Sequence, residues 1–261
     1  MALANRHGLT RHIPAEIKRE VRQRCGFGCV ICGLGFYDYE HFAPDYADAT
    51  AHHPEGITLL CPNCNQKRAR GTLSRQTVAA ADQNPACLQR GFTREYLDVS
   101  PDRLILRFAA ATFVNCPVAV EVNRFPILSI ARPASPGEPL RLSGHFCDAQ
   151  GRVTLMIRDN EWRAPKDVWD VECRGPRITI RTGRGDIALA LRTEPPERLV
   201  IERISMGFEG CLIQGTEDEM RLSVDGGRGW STIQRAHVED CAIGFSLANS
   251  ERYKNSNDLR F

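Results

Sequence analysis

Two Cys-x-x-Cys pairs, Cys29-Val30-Ile31-Cys32 and Cys61-Pro62-Asn63-Cys64, lie within one short stretch of the chain. Each knuckle can turn two thiolates towards one ion. Four thiolates saturate a tetrahedral Zn²⁺ at bond lengths of about 2.3 Å, which leaves no position for water and makes the metal structural. A redox pair or buried free thiols are the weaker reading, because two such pairs with small turn residues outweigh a single one. Cys25 could compete as a ligand, although its helical phase assigns it to a core face. Cys87, Cys116, Cys147, Cys173, Cys211 and Cys241 are scattered and read as ordinary buried thiols. Few large apolar residues lie between Gly26 and Asn65, so burial alone cannot fold this stretch and metal ligation must supply the difference.

The segment CVICGLGFYDYEHF, followed by GITLLCPNCNQKRARG, resembles the HNH endonuclease family over roughly Ile13 to Val78. The resemblance implies a ββα-metal module in which Glu40-His41 ends the first strand and Asn65 opens a helix just after the second knuckle. It implies His41 as the general base, with Glu40 and Asn65 as ligands of a catalytic Mg²⁺ or Mn²⁺. The residue types suit those roles. A neutral imidazole titrates near operating pH and can activate water. A carboxylate and an amide carbonyl are the oxygen donors that a hard divalent cation prefers.

Two positions depart from the family pattern. Asn65 stands in place of the final histidine, as in an HNN variant. The central asparagine, which in the family braces the loop and orients the catalytic histidine, falls near Gly56, which has no side chain; Asn63, Asp45 and Asp48 are the nearest polar substitutes. Lys67, Arg68 and Arg70 follow Asn65 on the same short helix and are expected to contact DNA phosphates, which gives affinity without sequence preference. The pair His52-His53 reads as part of a solvated polar loop, with an auxiliary metal or phosphate contact as the lesser reading.

The elements that must hold these residues follow from periodicity. Ile13, Ile17, Val21 and Cys25 recur every four positions, with Pro14 at a helix start, and predict an amphipathic helix whose other face carries Lys18, Arg19, Arg22 and Arg24. That charged side reads as a solvated face, with phosphate contact as the lesser reading. A strand is expected around Phe36 to His41, a second over Ile57 to Leu60, then helices over Asn65 to Arg70 and from about Ser74 to Asp82. Beyond Ser100 the pattern turns to period-two alternation, as in Leu104 to Phe108, Val118 to Val122 and Ile187 to Leu191, with turns such as Gly183-Arg184-Gly185 between the runs. The expected class is α+β: residues 1–98 as the zinc-bearing nuclease module and 99–261 as an all-β domain, an antiparallel sandwich or roll. The polar tail from Ser250 to Phe261 is expected to be loosely held.

Composition sets broad limits. At 261 residues and 42% hydrophobic content the chain can bury a real core, while a net charge of +2 decides nothing about nucleic acid. No apolar run is long enough for a membrane span and the start lacks the apolar stretch of a secretory signal, so the expected location is the cytoplasm. Two functions compete: a metal-dependent DNA endonuclease whose β domain takes a protein partner or ligand, and a zinc-stapled nucleic-acid-binding module whose nuclease centre has decayed. A signalling or assembly protein built on the β half is a third reading.

Overall fold

The computed structural model describes residues 4–133 and 135–249. Helix α1 (Ala15–Cys25) follows Pro14 and ends at Gly26, whose left-handed φ of 71° lets its amide reach back to the last carbonyls. In chain order there follow β1 (Asp38–His41), β2 (Ile57–Leu60), α2 (Pro62–Ala69), α3 (Arg75–Gln83), α4 (Ala86–Arg90) and β3 (Phe92–Tyr96). The β-rich run then opens with β4 (Ile105–Phe108), β5 (Ala111–Val114), β6 (Val118–Val122), β7 (Phe125–Ala131), β8 (Arg141–Cys147), β9 (Val153–Arg158) and β10 (Glu161–Pro165). It continues as β11 (Asp170–Arg174), β12 (Arg177–Gly183), β13 (Asp186–Glu194), β14 (Arg198–Phe208), β15 (Cys211–Thr216), β16 (Met220–Ser223), β17 (Ser231–Ile233), β18 (Ala236–Glu239) and β19 (Ile243–Leu247). The class is α+β with strand predominating. No helix among the described residues is long and apolar enough to cross a membrane. The tail from Ser250 lies outside the described residues.

Contacts divide the chain into two compact units. The first takes the described residues up to Glu95 together with Ala164–Arg174; the second takes Tyr96–Arg163 and the described residues from Gly175 onward. Residues 164–174, which the sequence pattern grouped with the β-rich half, thus lie with the amino-terminal unit.

The first unit is built around a core of Val21, Cys25, Val30, Ile57, Leu59, Leu60 and Val78, onto which β1 and β2 are laid as an antiparallel pair. Its register sets Glu40 opposite Thr58 and His41 opposite Ile57. The basic side of α1 corrects the expectation of a solvated face. Arg22 is 4% exposed and forks onto Asp170 of the returning segment, Nε to Oδ1 at 2.8 Å and Nη2 to Oδ2 at 2.7 Å, while its Nη1 donates to the Tyr39 hydroxyl at 2.7 Å. Burial works against the guanidinium's charge, but Asp170 and Tyr39 outweigh it and hold its pKa above the ordinary value. Arg24 pairs with the buried Asp82 and donates to the Ile57 carbonyl at 2.5 Å, and Arg19 lies over the Trp169 ring at 4.9 Å. Period four locates the two faces of a helix but not what covers the polar one; a segment more than a hundred residues away covers it here.

In the second unit one sheet runs β19-β6-β7-β8-β9-β10 and another runs β12 through β17 in sequence order. Most neighbours are antiparallel hairpins, as alternation with short turns dictates. Three pairs depart from the expected antiparallel pattern: β4 runs parallel to β14, β18 to β5 and β19 to β6. Parallel neighbours need long connections, and no local turn signal announces them. Trp162 is buried in its sheet as an apolar anchor. Cys116 and Cys241, which looked unrelated in sequence, meet with their sulfurs 2.8 Å apart because β5 and β18 are neighbours.

Asp170→Asn removes the charge that answers Arg22 inside the first unit. Breaking a buried pair from one side costs about 3–5 kcal/mol, so urea unfolding of the variant should show the first unit's transition at clearly lower denaturant. An unchanged midpoint would mean that the pair carries no stability.

Candidate functional site

Cys29 and Cys32 sit on a turn closed by Gly33, whose φ of 75° lets its amide reach the Cys29 carbonyl at 2.8 Å. The Val30 amide donates to the Leu59 carbonyl at 3.0 Å, which pins this knuckle to β2. The second knuckle is a helix start. Cys61 is the N-cap of α2, its sulfur accepts from the Cys64 amide at 3.4 Å, and Pro62 occupies the first turn, where no amide hydrogen is needed. Asn65 is therefore inside the first turn of α2 rather than at its opening, because the knuckle itself is already helical.

The four sulfurs of Cys29, Cys32, Cys61 and Cys64 all lie within 4.8 Å of one another. Cys32 to Cys61 is 3.6 Å and Cys32 to Cys64 is 3.9 Å. A tetrahedron with zinc–sulfur bonds of about 2.3 Å has edges of about 3.8 Å, so the set fits a structural Zn²⁺. The thiols are not alike: hydrogen bonding from Cys32, against the opposing effect of burial and with help from the Cys61, Cys32 and Ile31 amides, brings Cys29 down to about 5, whereas hydrogen bonding to Cys29 and burial hold Cys32 well above the ordinary thiol value and burial pushes Cys64 up to about 12. Cys25 is not part of the cluster. It is fully buried beside Thr58 and Asp82, and burial pushes its thiol up to about 12.

Glu40 and His41 end β1 beside α2. The Glu40 carboxylate accepts from Arg68 Nη1 at 2.6 Å. Burial raises its pKa, Arg68 pulls it back, the neighbouring Asp38 raises it, and Arg11 and the Asn65 amide lower it. Asn65 is thus close enough to act on the Glu40 carboxyl. Arg68 also donates to Asp45 Oδ1 at 2.5 Å and to the His41 carbonyl at 3.3 Å, and is only 14% exposed. Arg75 adds a second cation to Asp45. Of the three basic residues expected to meet phosphate, Arg68 is turned inward as the brace between β1 and the following loop, whereas Lys67 on α2 and Arg70 at its C-cap stand exposed.

His41 is 8% exposed. Burial first, and then His52, lower its pKa below the ordinary histidine value. Its Nε2 lies 3.0 Å from His52 Nδ1, and His52 Nε2 lies 3.0 Å from the Thr10 carbonyl oxygen. A carbonyl only accepts, so His52 carries its proton on Nε2 and presents a bare Nδ1. His41 then donates from Nε2, and its own Nδ1 is left as the free base nitrogen. His52 was read from sequence as solvated loop; its contact with His41 depends on the fold of residues 42–53 and on the amino-terminal strip. That strip is tied down by Asn5 to the Tyr46 and Ala49 carbonyls, at 2.6 and 2.7 Å, and by the Tyr46 hydroxyl to the Leu9 carbonyl at 2.7 Å. No local pattern could have signalled it beyond the bare presence of a second histidine.

Gly56 occupies the position where a bracing asparagine was expected. Its carbonyl accepts from the Phe42 and Ala43 amides at 3.0 and 3.4 Å, so backbone ties the loop at this point. A Cβ at Gly56 would be driven into the Ala43 carbonyl oxygen. Comparison with family models, curated proteins and solved structures finds no match to this chain.

Two outcomes follow. Purified protein should contain one zinc per chain by elemental analysis, and Cys64→Ser should lose it together with the first unit's cooperative unfolding, since metal binding and folding are one equilibrium in so small a scaffold; a zinc-free preparation with that transition intact would contradict the reading. Gly56→Asn, which supplies the expected side chain, should destabilise the first unit by roughly 1–3 kcal/mol rather than improve it, as measured by chemical denaturation.

Proposed function

We propose that the first unit is a ββα-metal nuclease module of the HNH type that hydrolyses DNA phosphodiester bonds, with the cysteine cluster holding a structural zinc. The observation that carries this reading is the state of His41: buried, with a lowered pKa, and tied through His52 to the Thr10 carbonyl so that one ring nitrogen remains unprotonated. A general base must hold a nitrogen without a proton at the working pH. Glu40 and Asn65 would hold the divalent cation, Mg²⁺ or Mn²⁺; a carboxylate and an amide carbonyl suit such an ion, which when bound takes up charge on the scissile phosphate and the departing 3′ oxygen.

The chain's own residues supply the remaining steps. His41 Nδ1 accepts a proton as water oxygen bonds to phosphorus and the bond from phosphorus to the 3′ oxygen breaks. His52 keeps the imidazole in the required tautomer and orientation, the task that the family gives to its central asparagine, while the Gly56 carbonyl secures the loop. Lys67 and Arg70 grip the backbone phosphates.

One observation favours the second reading, a nucleic-acid-binding module without catalysis: Arg68 already neutralises the Glu40 carboxylate, and a cation would have to share or displace it. The two readings separate in one experiment. Wild-type protein should nick plasmid DNA in Mg²⁺ or Mn²⁺ and not in EDTA, and His41→Ala should lose roughly 10²–10⁴-fold in rate. Equal inertness of wild type and variant with every metal would leave binding alone.

The pH profile tests His52 separately. A base with a lowered pKa stays active below the ordinary histidine range, so the acid limb of the wild-type rate should lie under that value. Burial, the larger influence on His41, remains in His52→Ala, so its limb should stay below the ordinary histidine value while loss of the ring's hydrogen-bond partner lowers the rate. An unchanged rate would take His52 out of the mechanism.

A further inference from the structure

In the second unit, β4 lies between β14 and β5, and β18 adds to the far side of β5. Strand alternation sends Leu106, Phe108, Phe113, Leu199 and Ile201 to the buried side. The opposite side of the same strands carries Ile105 and Arg107, Thr112 and Val114, Arg198 and Val200. Together with β13 they line a cleft of about 520 Å³, within the range of small-molecule sites.

Its charge is one-sided. Arg103, Arg107, Arg192, Arg198 and Arg235 line it against only Glu194 and Glu217, an excess of three positive charges among the arginines and carboxylates. The acids do not satisfy all five. Arg107 is held by Glu217 at 2.8 Å, while Arg192 and Arg198 share Glu194, the latter at 3.0 Å. Arg192 is steadied from outside the cleft by Glu202 at 2.9 Å. Arg103 and Arg235 are exposed and make no ion pair among the described residues. Three guanidiniums are thus fixed in place by acids, and two at the rim remain open to an anion. Among its apolar lining residues Ile105 is half-buried and presents the surface, with Val114 and Val200 buried beneath at 5% and 1% exposed.

We propose that this cleft binds a small phosphate-bearing ligand of the nucleotide class. Guanidinium forks match phosphate oxygens in pairs, which accounts for the uncompensated arginines; the apolar surface at Ile105 accepts the flat body of a base. A bare inorganic anion would leave that surface unused, and a purely apolar ligand would leave the charges unanswered. The site is separate from the residues proposed for hydrolysis, and its test does not depend on them.

The test is titration calorimetry on the full chain in EDTA, with ATP, inorganic pyrophosphate and adenosine as probes and a single-stranded 12-mer oligonucleotide as a competitor. ATP should bind, pyrophosphate should compete with it, and adenosine should bind far more weakly than either. Arg103→Ala/Arg235→Ala removes two exposed, unpaired groups, so folding should be unchanged by thermal melting while ATP affinity falls at least about tenfold. Arg184→Ala, on a distant hairpin, should bind as wild type does. Absence of ATP binding at millimolar concentration, or ATP binding undiminished in the double variant, would overturn the proposal. So would an oligonucleotide that binds much more tightly than ATP and loses affinity in the same variant, since the occupant would then be a strand.

Discussion

Four sulfurs gathered within 4.8 Å of one another set the terms for the first unit. The stretch from Gly33 to Gly56 adds Tyr37 and Phe42 to the core, and the two knuckles close its ends. One knuckle is hydrogen-bonded to β2 and the other begins α2, so the same cluster fixes the antiparallel pair and the helix relative to each other. Glu40 at the end of β1 and Asn65 on α2 come together beside that clamp.

Around this clamp, backbone and distant side chains do work that a sequence pattern would assign to a single asparagine. The Gly56 carbonyl ties the loop, and His52, anchored on Thr10, ties the imidazole of His41. A side chain at position 56 has no room, because the Ala43 backbone approaches too closely. The division of labour is physically sensible: a carbonyl that accepts two amides fixes chain position, whereas fixing a ring tautomer needs a donor or acceptor aimed at one nitrogen. Arg68 complicates the picture by placing its guanidinium between Glu40 and Asp45, where two carboxylates would otherwise repel.

What could be read from the chain in advance divides along lines of sequence distance. The cysteine cluster, the strand at Ile57 to Leu60, the helix ending at Cys25 and the cap at Ser74 are local signals, and each has its counterpart in the structure. The alternation of the second half likewise announced strands and hairpins. Hidden were the features made by residues far apart: the Arg22–Asp170 fork, the parallel pairs β4–β14 and β5–β18, the meeting of Cys116 with Cys241, and the histidine pair. Arginine was the most misleading residue type. Arg22, Arg24 and Arg68 looked like surface charge, and all three face inward, because carboxylates and carbonyls meet their terminal guanidinium nitrogens.

The Arg22–Asp170 fork also has a meaning in time. Its partners are 148 residues apart, and at ordinary translation speeds of about 5–20 residues per second a ribosome takes roughly 7–30 s to travel between them. Throughout that interval the face of α1 that carries Arg22 stands open to water, because the segment that covers it in the finished unit has yet to be made. Glu40, His41, Asn65 and the cysteine quartet therefore all leave the ribosome well before the last piece of the unit that holds them.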